Sequence, residues 1–219
     1  FFNGEPFKLL LKPMMNNKCY MFLVISLIGC LNLYAQNEPW QNAQVNEINR
    51  EPMYAHFIPY TNESNALKQR SLPAEIRYDV NPIMERRISL DGTWKFLYSK
   101  NNEECPSDFH QLGYSTRKWK NIQVPGSWEL QGFDAPIYTD TRYPFTPNPP
   151  FVPTDYNPVG AYIRDFTIPN DWNGMDIFID FEGVESAYYV WVNSELAGYA
   201  EDSRLPSHFN ITKLLKKGK

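Results

Sequence analysis

The chain has 219 residues, among them 14 Phe, 14 Tyr, 6 Trp and 18 Pro but only 11 Gly, and its formal net charge is −4. A hydrophobic share of 42% with 21% charged residues excludes a disordered tail and a bundle of membrane spans. Prolines spread along the chain would interrupt long helices, and the acidic balance argues against nucleic acid as a partner. What remains is an all-β domain with stiff, aromatic-rich loops.

Residues 1–35 are expected to lie outside that fold. The chain opens on Phe1, and Met14 or Met15 is the better initiator, followed by the polar, basic stretch Asn16-Asn17-Lys18. Tyr20 to Leu31 is nearly continuous apolar sequence, too short to span a bilayer comfortably. Leu33-Tyr34-Ala35 ends it with a small residue, as signal-peptide cleavage requires. The pattern predicts export, to the periplasm, with no transmembrane span. Leu27-Ile28-Gly29-Cys30 also fits a lipoprotein signal that would acylate Cys30, although the residues after it stay largely apolar. Removal of residues 1–35 leaves Cys105 as the lone cysteine, so no intramolecular disulfide is expected.

Residues 36–86 read as an extended arm, polar and irregular, with isolated large apolars such as Trp40, Phe57 and Tyr60. Within it, residues 62–70 are expected to form a short helix capped by Asn62. From residue 87 the hydrophobic period becomes two, the mark of half-buried strands. Ile88–Leu90 and Thr93–Tyr98 flank Asp91-Gly92, which predicts a hairpin. Trp94, Phe96 and Tyr98 should share one face of its second strand. Further strands are expected over Tyr162–Ile168, Met175–Phe181, Ala187–Val192 and Leu196–Ala200, with a turn at Asn193-Ser194-Glu195. Several short strands without a parallel βαβ rhythm point to a sandwich or barrel over residues 87–219.

Trp128 to Gly160 breaks the rhythm. This stretch carries Pro136, Pro144, Pro147, Pro149, Pro150, Pro153 and Pro158, interleaved with Phe133, Tyr138, Tyr143, Phe145, Phe151 and Tyr156. A loop this long within a compact domain is usually functional or disordered. Its aromatic content argues against disorder, leaving a lid over the core or a binding or interface loop; a proline-rich peptide ligand is a third reading, which the interleaved aromatics disfavour. His110 and His208 read as surface or packing residues.

Four groups of residues carry a resemblance. They are Ser89-Leu90-Asp91-Gly92-Thr93-Trp94-Lys95-Phe96, Val124-Pro125-Gly126-Ser127-Trp128, Gly132-Phe133-Asp134-Ala135-Pro136-Ile137-Tyr138-Thr139, and a pair. The pair joins Asn148-Pro149-Pro150-Phe151-Val152-Pro153-Thr154 to Gly198-Tyr199-Ala200-Glu201-Asp202-Ser203-Arg204-Leu205-Pro206-Ser207. With Asn46-Glu47-Ile48-Asn49-Arg50, they resemble the N-terminal sugar-binding domain of the β-galactosidase branch of glycoside hydrolase family 2. The resemblance implies a jelly-roll-type β-sandwich, like galactose-binding domains, preceded by the extended arm.

It also implies retaining hydrolysis of terminal β-galactosides, including lactose, by two carboxyl groups about 5–5.5 Å apart. In the family both are glutamates on a barrel that follows this domain, so no catalytic residue is expected among residues 1–219. Adjacent Glu201 and Asp202 point to opposite faces if extended and cannot supply that pair. Asp202 matches a family aspartate that meets the galactosyl 6-hydroxyl and a sodium ion. A carboxylate can accept from a hydroxyl and coordinate a hard cation at once. The alternative is a turn aspartate or a partner for Arg204. Asp140 stands where the family has asparagine, which replaces a donor and acceptor by acceptors only. Thr141 beside it is a weaker substrate-binding candidate. A magnesium site is implied elsewhere in the enzyme. The implied partners are a β-galactoside, the remaining domains of the same enzyme and further copies of it. A freestanding carbohydrate-binding module and a structural surface sandwich are the rival readings. Leu214 to Lys219 reads as a turn toward a further strand, predicting an unpaired sheet edge near that end.

Overall fold

The computed structural model describes residues 38–55, 57–72, 86–137 and 145–216. Among them the elements run β1 (Glu47–Ile48), α1 (Glu63–Arg70), β2 (Gly92–Ser99), β3 (Lys120–Val124), β4 (Val159–Ile163), β5 (Phe178–Phe181), β6 (Ala187–Val192), β7 (Glu195–Glu201) and β8 (Ser207–Asn210). All pairings are antiparallel, in two three-stranded sheets, β1-β7-β6 and β3-β2-β4, and the pair β5-β8. The fold is all-β, as expected. No helix among the described residues is long and apolar enough to cross a membrane.

The core forms where β5-β8 meets β6 and β7. Ile179, Val190, Val192, Ala197, Ala200 and Phe209 form one buried cluster with Trp172, Ile177 and Ile211. β6 is covered on its other side too. The Trp191 ring lies 5.4 Å from Tyr189, 5.5 Å from Phe109 and 5.0 Å from His110, against which it stacks. Asn193 and Ser194 join β6 to β7 with φ of 53° and 77°. Two successive positive φ values suit the right-handed twist of a tight hairpin. Val190 opposes Gly198 while Trp191 opposes Leu196, so Ala197 is an extra residue that kinks β7.

Gly198 sits where nothing larger fits. A Cβ there would lie 2.4 Å from Phe209 Cε1 and 2.5 Å from the Ile48 carbonyl oxygen. That close approach lets β1 pair with β7, placing Glu47 opposite Ala200 and Ile48 opposite Tyr199. The Glu51 N–H donates to the His208 carbonyl at 2.9 Å, so the arm also closes the outer edge of β8 at one point. Among the described residues β5 is the sole ladder partner of β8. Farther along the arm Tyr54 stacks on His208 at 4.3 Å, whereas Met53 and Phe57 stay exposed. Helix α1 forms as expected, with the Asn62 side chain accepting from the Asn65 N–H at 3.0 Å; none of its residues is buried.

In the other sheet Trp94, Phe96 and Tyr98 do share a face. Phe96 is fully buried beneath Trp128, Phe133 and Tyr162. The hairpin expected at Asp91-Gly92 does not form. β2 pairs instead with β3 and β4, and residues 88–90 are not a strand. The reason is burial: Ile88 and Leu90 pack on the main cluster rather than beside β2. The Leu90 carbonyl also accepts from Trp94 Nε1 at 2.8 Å, which holds the bend without a ladder. Phe166, Ile168 and Met175 likewise give their apolar surface to the core from outside β4 and β5, so β4 begins three residues before the strand expected at Tyr162 and ends at Ile163, and β5 is shorter than its alternation suggested.

Candidate functional site

Asp202 stands one residue past β7, where the chain leaves the sheet. Its φ is 92°, and its Oδ1 accepts from the Arg204 N–H at 3.2 Å. A short aspartate side chain tolerates such a left-handed position because it can bond its own backbone two residues on. Its immediate neighbour differs. Glu201 Oε1 accepts from Tyr199 OH at 2.5 Å, within the strand, while the Glu201 N–H donates to Asn46 O at 3.0 Å. Burial, then Glu201, pushes the Tyr199 hydroxyl far above its ordinary range. Glu201 is thereby committed to holding the strand end.

The turn that carries Asp202 is braced from two sides. From the arm, Arg50 donates through Nη2 to the Pro206 carbonyl at 2.9 Å, with its side chain 7% exposed. From the β5–β6 connection, Gly183 lies so close that a Cβ there would be 3.3 Å from Ser203 O. The Arg204 guanidinium reaches outward to Glu185 at 4.0 Å, both side chains largely exposed, which contributes little to stability. Asp202 thus contributes to a local turn by way of the Arg204 backbone, while the Arg204 guanidinium faces Glu185. Among the described residues the Arg204 N–H is the only hydrogen-bond partner of Asp202. Asp140 and Thr141 lie outside the described residues.

A second constellation went unassigned in the sequence. Asp134 Oδ2 accepts from two phenols at once, Tyr98 OH at 2.7 Å and Tyr156 OH at 2.6 Å. Burial opposes ionisation of Asp134, but both hydroxyls and the Ala135 N–H outweigh it and hold the carboxyl below its ordinary range. Tyr98 is pushed up by burial and by Asp134, and Tyr156 mainly by Asp134. The sequence signal was slight. Gly132-Phe133-Asp134 places a left-handed glycine before a residue that is itself at φ 63°. Its partners are 36 and 22 residues away.

The polar–aromatic loop also forms one wall of a cavity of about 760 Å³, lined by Trp40, Asn102, Asn148, Phe151, Thr154 and Asp155 among others. Asp202 does not line it. Both histidines pack as expected. His110 stacks on Trp191, and His208 is buried with Nδ1 2.9 Å from Asp180 Oδ1, off the direction of a good hydrogen bond. Cys105 is free, and burial pushes its thiol up against the opposing bond from Ser99. Among the described residues no group of three or more His, Cys, Asp or Glu is arranged to hold a metal ion.

The family described as glycosyl hydrolases family 2, sugar binding domain, matches residues 88–219. A beta-galactosidase of Priestia megaterium is 40% identical over 181 residues, which are 81% of this chain and 16% of that protein. One from Halalkalibacterium halodurans is 39% identical over 181 residues, 80% of this chain and 17% of that protein. The chain thus spans under a fifth of the length of these curated relatives. Among solved structures, a Bifidobacterium dentium beta-glucuronidase complexed with coumarin-3-O-glucuronide is 21% identical. It covers 59% of this chain and 18% of its own, with a TM-score of 0.42.

Proposed function

This chain belongs to glycosyl hydrolase family 2, through its sugar-binding domain, and we propose that it is the N-terminal portion of a retaining β-galactosidase. The observation that carries the reading is sequence identity near 40% with beta-galactosidases across four fifths of the chain. In this reading the two catalytic glutamates belong to a barrel outside residues 1–219, and the present domain shapes the galactose pocket. Asp202 supplies a carboxylate whose second oxygen has no protein partner among the described residues. Such an oxygen suits a sugar hydroxyl or a hard cation such as sodium. Asp202 is then one ligand of a shared sodium site, whose other donors come from elsewhere in the enzyme. Asp140 and Thr141 join it as substrate contacts, and a magnesium site lies outside this domain. The leader over residues 14–35 directs the enzyme to the periplasm, by simple cleavage or by acylation of Cys30. Mass spectrometry of the mature N-terminus distinguishes those two routes.

The test is hydrolysis of an aryl β-galactoside by the protein expressed from the whole reading frame. The full-length protein is expected to turn it over with retention, and residues 1–219 alone are expected to be inactive. In the full-length enzyme, Asp202→Asn should weaken galactose inhibition and raise the sodium concentration needed for half-maximal rate. A full-length protein that binds galactosides without cleaving them would replace the enzyme by a carbohydrate-binding module. An unchanged sodium dependence would remove Asp202 from the cation site.

A further inference from the structure

Asp202 holds a strained backbone position between two contacts with the arm. Its φ of 92° is one that residues with a Cβ rarely adopt, and such a residue persists where its surroundings over-determine it. Just before it, the Glu201 N–H donates to the Asn46 carbonyl at 3.0 Å. Just after the turn, Arg50 donates through Nη2 to the Pro206 carbonyl at 2.9 Å, and the Glu51 N–H donates to the His208 carbonyl at 2.9 Å. Residues 46–51 of the arm therefore bracket residues 202–206.

Arg50 is a costly residue for a merely mechanical clamp. Its side chain is 7% exposed, its Nη1 lies 3.8 Å from Glu47 Oε2, and its Nε is buried with no hydrogen-bond partner among the described residues. A buried guanidinium with an unsatisfied N–H is expensive, and well-packed apolar side chains often stabilise a fold as well or better. What a guanidinium adds is direction, because its donors stand in a fixed planar fork. Here one donor meets the carbonyl that ends the Asp202 turn.

We propose that Arg50 is a positioning residue for the sugar and cation contacts of Asp202: it fixes the chain after the turn, as the Asn46 carbonyl fixes it before, and so sets where the second Asp202 carboxylate oxygen points. The proposal rests on the β-galactosidase reading, with Asp202 as a ligand. Its test is the sodium dependence of aryl β-galactoside hydrolysis by the full-length enzyme at constant ionic strength, together with inhibition by galactose. Arg50→Ala is expected to raise the sodium concentration for half-maximal rate and the galactose inhibition constant about threefold or more, leaving kcat at saturating sodium within about twofold. Arg50→Lys keeps the charge and the stem but not the fork, so it should fall between Arg50→Ala and wild type, and it carries the test if Arg50→Ala does not fold. In an Asp202→Asn background Arg50→Lys should shift neither quantity further, since both substitutions act through one carboxylate. Asn49→Gly removes a different arm contact, Asn49 Nδ2 to the Ala197 carbonyl at 3.2 Å at the kink of β7, and tolerates the local φ of 54°. It should leave both quantities unchanged. The amides of Ser203, Arg204 and Leu205 should exchange faster in either Arg50 variant, a readout that needs no activity.

Unchanged sodium dependence and galactose inhibition in the Arg50 variants would overturn the positioning role, whatever happens to stability. Equal shifts in Asn49→Gly would overturn it by showing that any loosening of the arm suffices. Additive effects of Arg50→Lys and Asp202→Asn would overturn the route through Asp202, and unchanged exchange over residues 203–205 would overturn the clamp itself. Failure of the underlying reading looks different: wild-type protein cleaves no β-galactoside, or Asp202→Asn leaves sodium dependence untouched. The positioning role then falls with it, and exchange over residues 203–205 still decides whether Arg50 holds the turn.

Discussion

The two halves of the molecule are held by different physics. Around β5, β8 and the inner faces of β6 and β7, mostly aliphatic and Phe side chains pack into one buried cluster, and Phe209 is fully buried within it. Around β2, large rings lie edge-on or tilted over one another: Trp128, Phe133 and Tyr162 on Phe96. The loop beyond is joined to them by phenols on a carboxylate. The first arrangement makes a fold. The second presents a polar and aromatic surface beside it.

The sharpest way to break this contrast is at Phe209. Phe209→Ala removes a ring that touches Phe181, Tyr188 and the space over Gly198. Lost burial and an uncollapsed cavity together should cost about 3–5 kcal/mol. Chemical denaturation with tryptophan fluorescence is the measurement, and a loss under about 1 kcal/mol would mean that the core is not centred there. The arm should loosen with it, since β1 lies on β7 beside the same glycine.

A smaller effect is expected at the corresponding glycine of the other half. A Cβ on Gly160 would fall 2.5 Å from Trp128 Cζ3 and 2.7 Å from Phe96 Cε2. Rings can tilt where backbone cannot, so Gly160→Ala should cost about 1–3 kcal/mol through displaced side chains. Near-ultraviolet circular dichroism should show the change as an altered tryptophan band while the far-ultraviolet strand signal persists. An unchanged aromatic band would show that the Trp128 stack has room to spare.

This contrast also explains what the sequence disclosed. The turn signal at Asn193-Ser194-Glu195 between two apolar runs revealed β6 and β7 nearly to the residue, because the partners of this hairpin are adjacent in sequence. β8 could not be read that way. Ser207, His208 and Phe209 are all buried, so no polar face marks the period. β3 has a single buried residue, Ile122, and β1 has only two residues, both specified by a partner some 150 positions away. Asp91-Gly92 misled because a turn signal is local, whereas the neighbours of β2 come from residues 120–124 and 159–163. Asp202 was singled out by its motif, and the contact it makes is local, to the Arg204 N–H two residues on. The Asp134 constellation was not, since nothing in a loop sequence says which distant tyrosines its carboxylate will meet.

The smallest predicted effect is a pH dependence that separates the halves. At the alkaline end they behave alike. Burial and then Asp134 hold Tyr98 protonated, while burial pushes Tyr189 up to about 12 and, with Glu201, raises Tyr199 further. Each raised tyrosine stabilises the fold below its unfolded pKa near 10, and that contribution is lost as pH climbs through the folded value. The acid end differs, because Asp134 is held low, against burial, by its two phenols and the Ala135 N–H. A depressed carboxyl contributes stability above its unfolded pKa near 4, which is lost as pH falls through the folded value. Exposure and solvent screening reduce this to roughly a few tenths of a kcal/mol. Amide protection corrected for intrinsic rate should therefore fall for residues 145–157 below about pH 4, while β5 and β8 keep theirs. Equal loss in both regions would mean that the loop is held by the core and not by its carboxylate.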